Sequence, residues 1–231
     1  MKCRGLACDY DGTLAHHAVV ADSSVAALDR FRKAGGRLIM VTGRELPDLQ
    51  SVCEVLDRFE CVVAENGALL YWPATGSTQL LCPSASAALA KELAQAGAQP
   101  LSVGRAIIAT REPYEAVAMS AIKELGLELQ IIFNKGAVMI LPTGVNKATG
   151  LTSALSMMKL AAEDVVAVGD AENDHAMLAM CGVGVAVSNA IPTLKDHADV
   201  VTTGARGEGV AELIDRLLAG ELGAIAHQLP V

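Results

Sequence analysis

Aromatic residues are scarce in this chain. Phe, Tyr and Trp make up 3% of its 231 residues, against 52% for hydrophobic residues of all kinds. A core with so few large rings must be filled by Ala, Val, Leu and Ile, which suits parallel strands buried on both faces. Positive charge is short too: 18 Lys and Arg stand against 26 Asp and Glu, a formal net charge of −8. An acidic surface repels nucleic acid and anionic lipid, so neither is an expected partner, and any anion site must be a local positive spot. No apolar run reaches the roughly 20 residues that a membrane span needs. The stretch from Met1 to Asp9 is too short for a signal peptide and ends in charge. The six cysteines, Cys3, Cys8, Cys53, Cys61, Cys82 and Cys181, include no C-x-x-C pair. That argues against zinc and for buried free thiols in a reducing cytoplasm, the expected location.

What is present is a rhythm. Residues 4–9, 37–42 and 61–64 read as strands, each apolar through its middle. Between the first two lies a helix with Asp22 or Ser23 as its cap, Val25, Leu28 and Phe31 on one face, and Gly35 and Gly36 as its stop. Pro47 suits the first turn of the next helix, expected to run to about Leu56. This β-α-β-α-β order implies an α/β fold with a doubly wound parallel sheet. Residues 68–72 and 78–82 then suggest a hairpin. Residues 83–143 read as a separate α-β-β-α-β-β unit: helices over 84–96 and 113–125, strands over 101–103, 105–110, 129–133 and 137–141. After Pro142 the first rhythm returns. Asn146 caps a helix over 147–159, strands follow at 165–168, 183–187 and 199–201, and helices at 176–180 and 210–218. The expected organisation is a core of 1–82 and 144–231 with 83–143 inserted, and a weakly structured tail over 223–231.

The chemistry-bearing residues fall where strands end or helices begin. In open α/β sheets ligands bind at the carboxyl ends of strands. Those ends carry Asp9-Tyr10-Asp11-Gly12-Thr13, then Thr42-Gly43-Arg44, then Gly169-Asp170 with Asn173-Asp174, while Lys147 opens a helix. A carboxylate attacking an anionic phosphate needs a divalent cation to offset the repulsion. Mg²⁺ favours a few carboxylates, which Asp9 and Asp170 can supply. Asp9 can also attack, forming an aspartyl-phosphate, and Asp11 is placed to protonate the leaving oxygen and later to activate water. The Thr42 hydroxyl, the Gly43 amide and Lys147 at a helix start can hold phosphate oxygens.

Taken in order, Asp-x-Asp-Gly-Thr, Thr-Gly-Arg, Lys and Gly-Asp-x-x-Asn-Asp resemble the four motifs of the haloacid dehalogenase superfamily. The insert resembles that superfamily's type IIB caps, as in Cof-like and phosphoglycolate phosphatases. The resemblance spans essentially the whole chain. It implies a magnesium-dependent phosphatase acting on a small phosphorylated metabolite, a sugar phosphate or phosphoglycolate, as monomer or homodimer. It implies Asp9 as nucleophile and metal ligand, Asp11 as acid/base with its carbonyl on the metal, and Asp170 as a third ligand. Asp174 is grouped with the metal ligands; Asn173 and Asp174 support the metal and Lys147. Thr42, Gly43, Arg44, Asn66, Lys147 and Asn173 are the implied phosphate- or substrate-binding residues.

Other readings are weaker. A calcium loop starting at Asp9 needs an acid where Val20 stands. Gly182-Val183-Gly184 lacks the third glycine of a dinucleotide fingerprint. His16 and His17 read as a solvated loop. Arg105, Arg111, Glu112 and Lys135, in the insert, read as surface charge before specificity residues. A phosphomutase of the phosphomannomutase type uses the same Asp pair, and a non-catalytic regulatory protein on this scaffold should show a broken motif, which this chain does not.

Overall fold

The computed structural model describes residues 3–222; the tail at 223–231 lies outside them. The chain opens with β1 (Gly5–Asp9), α1 (Asp22–Lys33), β2 (Arg37–Val41), α2 (Leu46–Val52), β3 (Cys61–Ala64), β4 (Leu69–Trp72) and β5 (Ser77–Leu80). A second unit follows: α3 (Ala87–Gln95), β6 (Ser102–Val103), β7 (Ile108–Arg111), α4 (Glu115–Glu124), β8 (Leu129–Asn134) and β9 (Ala137–Pro142). The chain then returns through α5 (Lys147–Met158), β10 (Val165–Gly169), α6 (His175–Met180), β11 (Val183–Ala186), α7 (Pro192–His197), β12 (Val200–Val201) and α8 (Arg206–Leu218).

The main sheet runs β12-β11-β10-β1-β2-β3-β4-β5; it is parallel from β12 to β3, and the β4–β5 hairpin closes one edge antiparallel. This is the doubly wound α/β sheet that the strand-helix alternation implies. Alternate residues of each buried strand serve opposite faces. Leu6, Cys8, Leu38 and Met40 pack with Leu28 and Phe31 of α1 and Leu213 and Ile214 of α8. Ala7, Ile39 and Val41 pack on the other side with Leu151 and Leu155 of α5 and Leu178 of α6. Truncating one such leucine to alanine costs about 2–5 kcal/mol, because the packed helices cannot collapse fully into the void. The four-stranded sheet, β6-β7-β9-β8, has its own core, in which Leu89, Leu93, Ala118 and Ile122 of α3 and α4 meet Ile108 and Ile140.

Several boundaries differ from the sequence reading, each for a local reason. Asp22 is the first residue of α1, not its cap; Ala21 holds that place without a side-chain hydrogen bond. α2 stops at Val52, and a short 3₁₀ turn at Leu56–Arg58 follows. β7 starts at Ile108 because the amides of Arg105, Ala106 and Ile107 donate to the Glu65 carboxylate instead of to a neighbouring strand. α8 starts at Arg206, a turn before Val210, where glycines are needed for close packing: a Cβ on Gly207 would stand 2.4 Å from Ser24 Oγ. Helix α7 was not anticipated, although Pro192 at its start is a usable signal.

Candidate active site

Strand register builds the site. Asp9 is level with Val41 and Cys8 is level with Val168, so the chain leaves β1, β2 and β10 at one height. Asp9, Thr42 and Asp170 therefore emerge side by side. Asn146 caps α5 by accepting from Thr149 N at 3.0 Å, while its own N–H donates to Thr149 Oγ1 at 3.0 Å. That capping box fixes Lys147 as the first helical residue, pointing under the strand ends.

The result is a buried charge cluster. Carboxylate oxygens of Asp9, Asp170 and Asp174 lie within 4.8 Å of one another. Lys147 Nζ donates to Asp9 Oδ1 and to Asp174 Oδ1, both at 2.6 Å, and the lysine is only 1% exposed. Burial opposes the Lys147 charge, but Asp174 and Asp9 outweigh it and hold the ammonium above the ordinary lysine range. Burial also pushes the Asp9 carboxyl up, with Lys147 pulling against it and Asp174 and Asp170 adding to it. Asp170 is raised by burial as well, and here the opposing cation is Lys135. Asp174 has both oxygens committed: Oδ2 accepts from the amides of Asp170 and Ala171 at 2.9 and 3.0 Å. It orients the turn that carries Asp170.

The remaining predicted residues surround this cluster. Asp9, Asp11, Thr42, Gly43 and Arg44 line one cavity of ≈ 430 Å³, whose opposite wall comes from the inserted unit through Ser102, Ile107, Ala109, Asn134, Ala137 and Met139. Asp11 is not part of the acidic trio. Its carboxylate accepts two bonds from Arg44, at 2.6 and 2.8 Å, and Arg44 also donates to Asp48 at 2.6 Å. The Thr42 hydroxyl oxygen accepts from the Arg44 amide at 3.1 Å, leaving its hydrogen to donate elsewhere. Asn173 Nδ2 donates to Asn66 Oδ1 at 2.9 Å; Asn66 Nδ2 and Asn173 Oδ1 are buried with no partner among the described residues. Gly12 is obligatory: its φ is +85°, and a Cβ there would fall 2.2 Å from Asp170 Oδ2.

Sequence reasoning missed some participants. Thr13, part of the first motif, donates to Asp170 Oδ1 at 3.2 Å. Asn189, which carried no signal, donates to Gly12 O at 2.8 Å and to Asp170 Oδ2 at 3.3 Å. Lys135, read as surface charge, pairs with Asp170 Oδ2. Glu65 is fully buried in a left-handed backbone conformation (φ +50°) and accepts the amides of Arg105, Ala106 and Ile107 at 3.0, 2.8 and 3.1 Å. It joins the main sheet to the inserted unit. The side chain of Arg105 reaches only Thr78 Oγ1, at 2.8 Å. His16 and His17 are exposed and lie outside the cavity lining.

A buried aspartate at the end of β1, a buried lysine and an acidic pair after β10 thus stand together at the carboxyl edge of the sheet. The family model of haloacid dehalogenase-like hydrolases matches residues 6–100 and 107–214, and the chain belongs to that family. It is 32% identical over 225 residues to a phosphoglycolate phosphatase of Methanothermobacter thermautotrophicus, covering 93% of this chain and 99% of that one. Phosphoglycolate phosphatase 2 of Saccharolobus solfataricus is 30% identical, with 94% of both chains covered. Among solved structures, a HAD/COF-like hydrolase from Plasmodium vivax superposes with a TM-score of 0.79 at 21% identity, over 94% of this chain and 96% of that one. Among the described residues no helix is long and apolar enough to cross a membrane.

Proposed function

We propose that this phosphatase hydrolyses small soluble phosphomonoesters with Asp9 as the nucleophile and magnesium as the required ion. The observation that carries the reading is the Asp9 carboxylate, set at the end of β1, steered by Lys147 and facing a cavity of ≈ 430 Å³. The cluster suits magnesium by its donor chemistry: all its ligand atoms are oxygens, and Asp9 accepts a single hydrogen bond, from Lys147, so most of its lone pairs are free. Asp9, Asp170 and the Asp11 backbone carbonyl would hold the ion, with Asp174 behind them. When bound, it neutralises the charge between phosphate and nucleophile.

An Asp9 oxygen forms a bond to phosphorus as the bond from phosphorus to the ester oxygen breaks. Asp11 delivers a proton to that leaving oxygen, then accepts one from the water that attacks the aspartyl-phosphate, releasing inorganic phosphate and restoring Asp9. Thr42, Gly43 and Lys147 hold the phosphoryl oxygens, and the unpartnered amide of Asn66 is a further donor toward substrate. Arg44 keeps Asp11 at the cavity mouth. The insert, residues 83–143, acts as a lid that excludes water and bulky substrates.

Phosphoglycolate is the first candidate, since relatives that cover nearly the whole chain carry that name. Small sugar phosphates are the second. The test is kcat/KM for phosphoglycolate, a hexose phosphate, an aryl phosphate and a phosphopeptide, with Mg²⁺ and with chelator, beside Asp9→Asn. The reading expects metabolites to win, chelator to stop turnover and Asp9→Asn to abolish it without unfolding the chain. Preference for the phosphopeptide, full activity in chelator, or a competent Asp9→Asn enzyme contradicts it.

A further inference from the structure

The charge cluster contains a lysine that the chemistry above does not use. Lys135 sits in the two-residue turn between β8 and β9, and its ammonium crosses from the inserted unit to Asp170. Its placement is specified rather than incidental. Lys135 and Gly136 have φ of +47° and +83°, the primed turn that joins two tightly paired strands. Lysine is an uncommon choice at the first of these positions, where Asn or Gly is easier. The turn is tied to the other side of the site by the Lys135 amide, which donates to Glu172 Oε2 at 3.1 Å. Asn134, the preceding residue, lines the cavity wall.

Formal charge shows what this lysine does. Asp9, Asp170 and Asp174 carry three negative charges, and Lys147 and Lys135 return two positive ones. A divalent cation together with Lys147 balances the trio alone. Lys135 and that cation are both drawn to the Asp170 carboxylate; with the trio already balanced, the half-exposed Lys135, unlike the buried Lys147, is the cation that can leave. Once displaced, the ammonium stands beside Asn134 at the wall of the cavity, which otherwise offers one cation, Arg44, already committed to Asp11 and Asp48.

We propose that Lys135 is a substrate-binding residue of the insert: its ammonium is exchanged off Asp170 by the divalent ion and then binds an anionic oxygen group of the substrate. This rests on the phosphomonoesterase reading. Ion binding and substrate recognition by the lid thereby become one coupled event. The substrate group is either the phosphoryl group itself or a carboxylate on the leaving group; both present the same anionic oxygens to an ammonium.

The test uses Lys135→Asn, which suits the left-handed turn and keeps the fold, with Lys135→Arg as the charge-retaining control. Mn²⁺ affinity is measured by titration without substrate, and KM and kcat for phosphoglycolate and for 2-hydroxyethyl phosphate, which differ by a carboxylate. Lys135→Asn is expected to bind Mn²⁺ about tenfold more tightly, since its competitor is gone, while KM rises about tenfold or more with a smaller change in kcat. A rise confined to phosphoglycolate assigns the contact to the carboxylate; an equal rise for both assigns it to the phosphoryl group. Lys135→Arg should recover most of both effects. Unchanged or weaker Mn²⁺ binding, or unchanged KM for both esters, overturns the proposal. If the unaltered protein hydrolyses neither ester, the phosphatase reading fails, and the Mn²⁺ titration still judges Lys135.

Discussion

Lys147→Met removes a buried cation and keeps nearly all of its volume, so the consequence is electrostatic. Lys147 makes two contacts of 2.6 Å in a site where it is 1% exposed. At an effective dielectric of about 20, each contact has a gross attraction of about 6 kcal/mol. The loss is not the sum of these, because a stranded carboxylate takes up a proton instead of remaining charged. That limits the penalty. Protonating one aspartate with an ordinary value of 3.8 costs about 5 kcal/mol near pH 7.5 and about 2 kcal/mol near pH 5.5, at about 1.4 kcal/mol per pH unit. The higher figure agrees with the roughly 3–5 kcal/mol seen when one member of a buried pair is deleted. The sign follows from linkage. Burial already raises these carboxyls in the wild type, and losing the pull of Lys147 raises them further, so the folded variant binds protons more tightly than the folded wild type and the deficit grows as pH rises. In chelator, Tm should fall by roughly 10–20 °C near pH 7.5 and by less than half of that near pH 5.5, at about 2–4 °C per kcal/mol. Mg²⁺ should restore part of the loss by binding only the folded chain. Thermal melts of wild type and variant over this pH range, with and without Mg²⁺, test it. A deficit under about 1 kcal/mol, or one that deepens toward acid, would refute the reasoning.

Asp11→Asn should retain attack on an aryl phosphate but slow hydrolysis of the aspartyl-phosphate, so rapid-quench mass spectrometry should find more phosphorylated protein than in wild type; equal, rapid turnover on every substrate contradicts the role. Glu65→Gln presents an amide where three backbone N–H groups need oxygen. It should cost about 1–3 kcal/mol and accelerate hydrogen exchange at Arg105, Ala106 and Ile107, and unchanged exchange there would remove the proposed joint. Burial pushes the Cys61 and Cys181 thiols up to about 12. At about pH 8 their thiolate fraction is on the order of 10⁻⁴, so Ellman's reagent should leave both untouched in the native protein and reach them in urea; fast native labelling of either would contradict their burial.

The parallel strands and the motifs at their ends were legible because such strands are buried on both faces and read as short apolar runs such as 37–42. The register that puts Asp9 beside Thr42 and Asp170 follows from that topology. What sequence did not reveal are pairings across long separations. Glu65 meets Arg105, Ala106 and Ile107, and Asn189 meets Gly12, through contacts that no local periodicity encodes. Lys135 was read as surface charge because a lysine in a hairpin turn normally is; its partner lies 35 residues away. Gly207 and Gly209 delayed the expected start of α8, since glycine weakens a helix in isolation and only close packing explains it there.

The Glu65 joint bears on how such an enzyme can be re-engineered or can diverge. A buried carboxylate that needs three amides from the loop before β7 keys the insert to its host, much as a lock's wards admit one blade. Grafting a foreign insert between β5 and α5 should succeed only if its loop delivers three converging N–H groups at the same spot, or if Glu65 is replaced at the same time by an apolar residue. Cutting the insert away strands the Glu65 carboxylate at the core's surface, so a version without it needs the same compensating change before its catalysis can be compared with that of the whole chain. New side chains are more easily accommodated at the opposite end of the insert, at Asn134 and Ala137 on the cavity wall, provided the turn between them keeps its ties to Asp170 and Glu172.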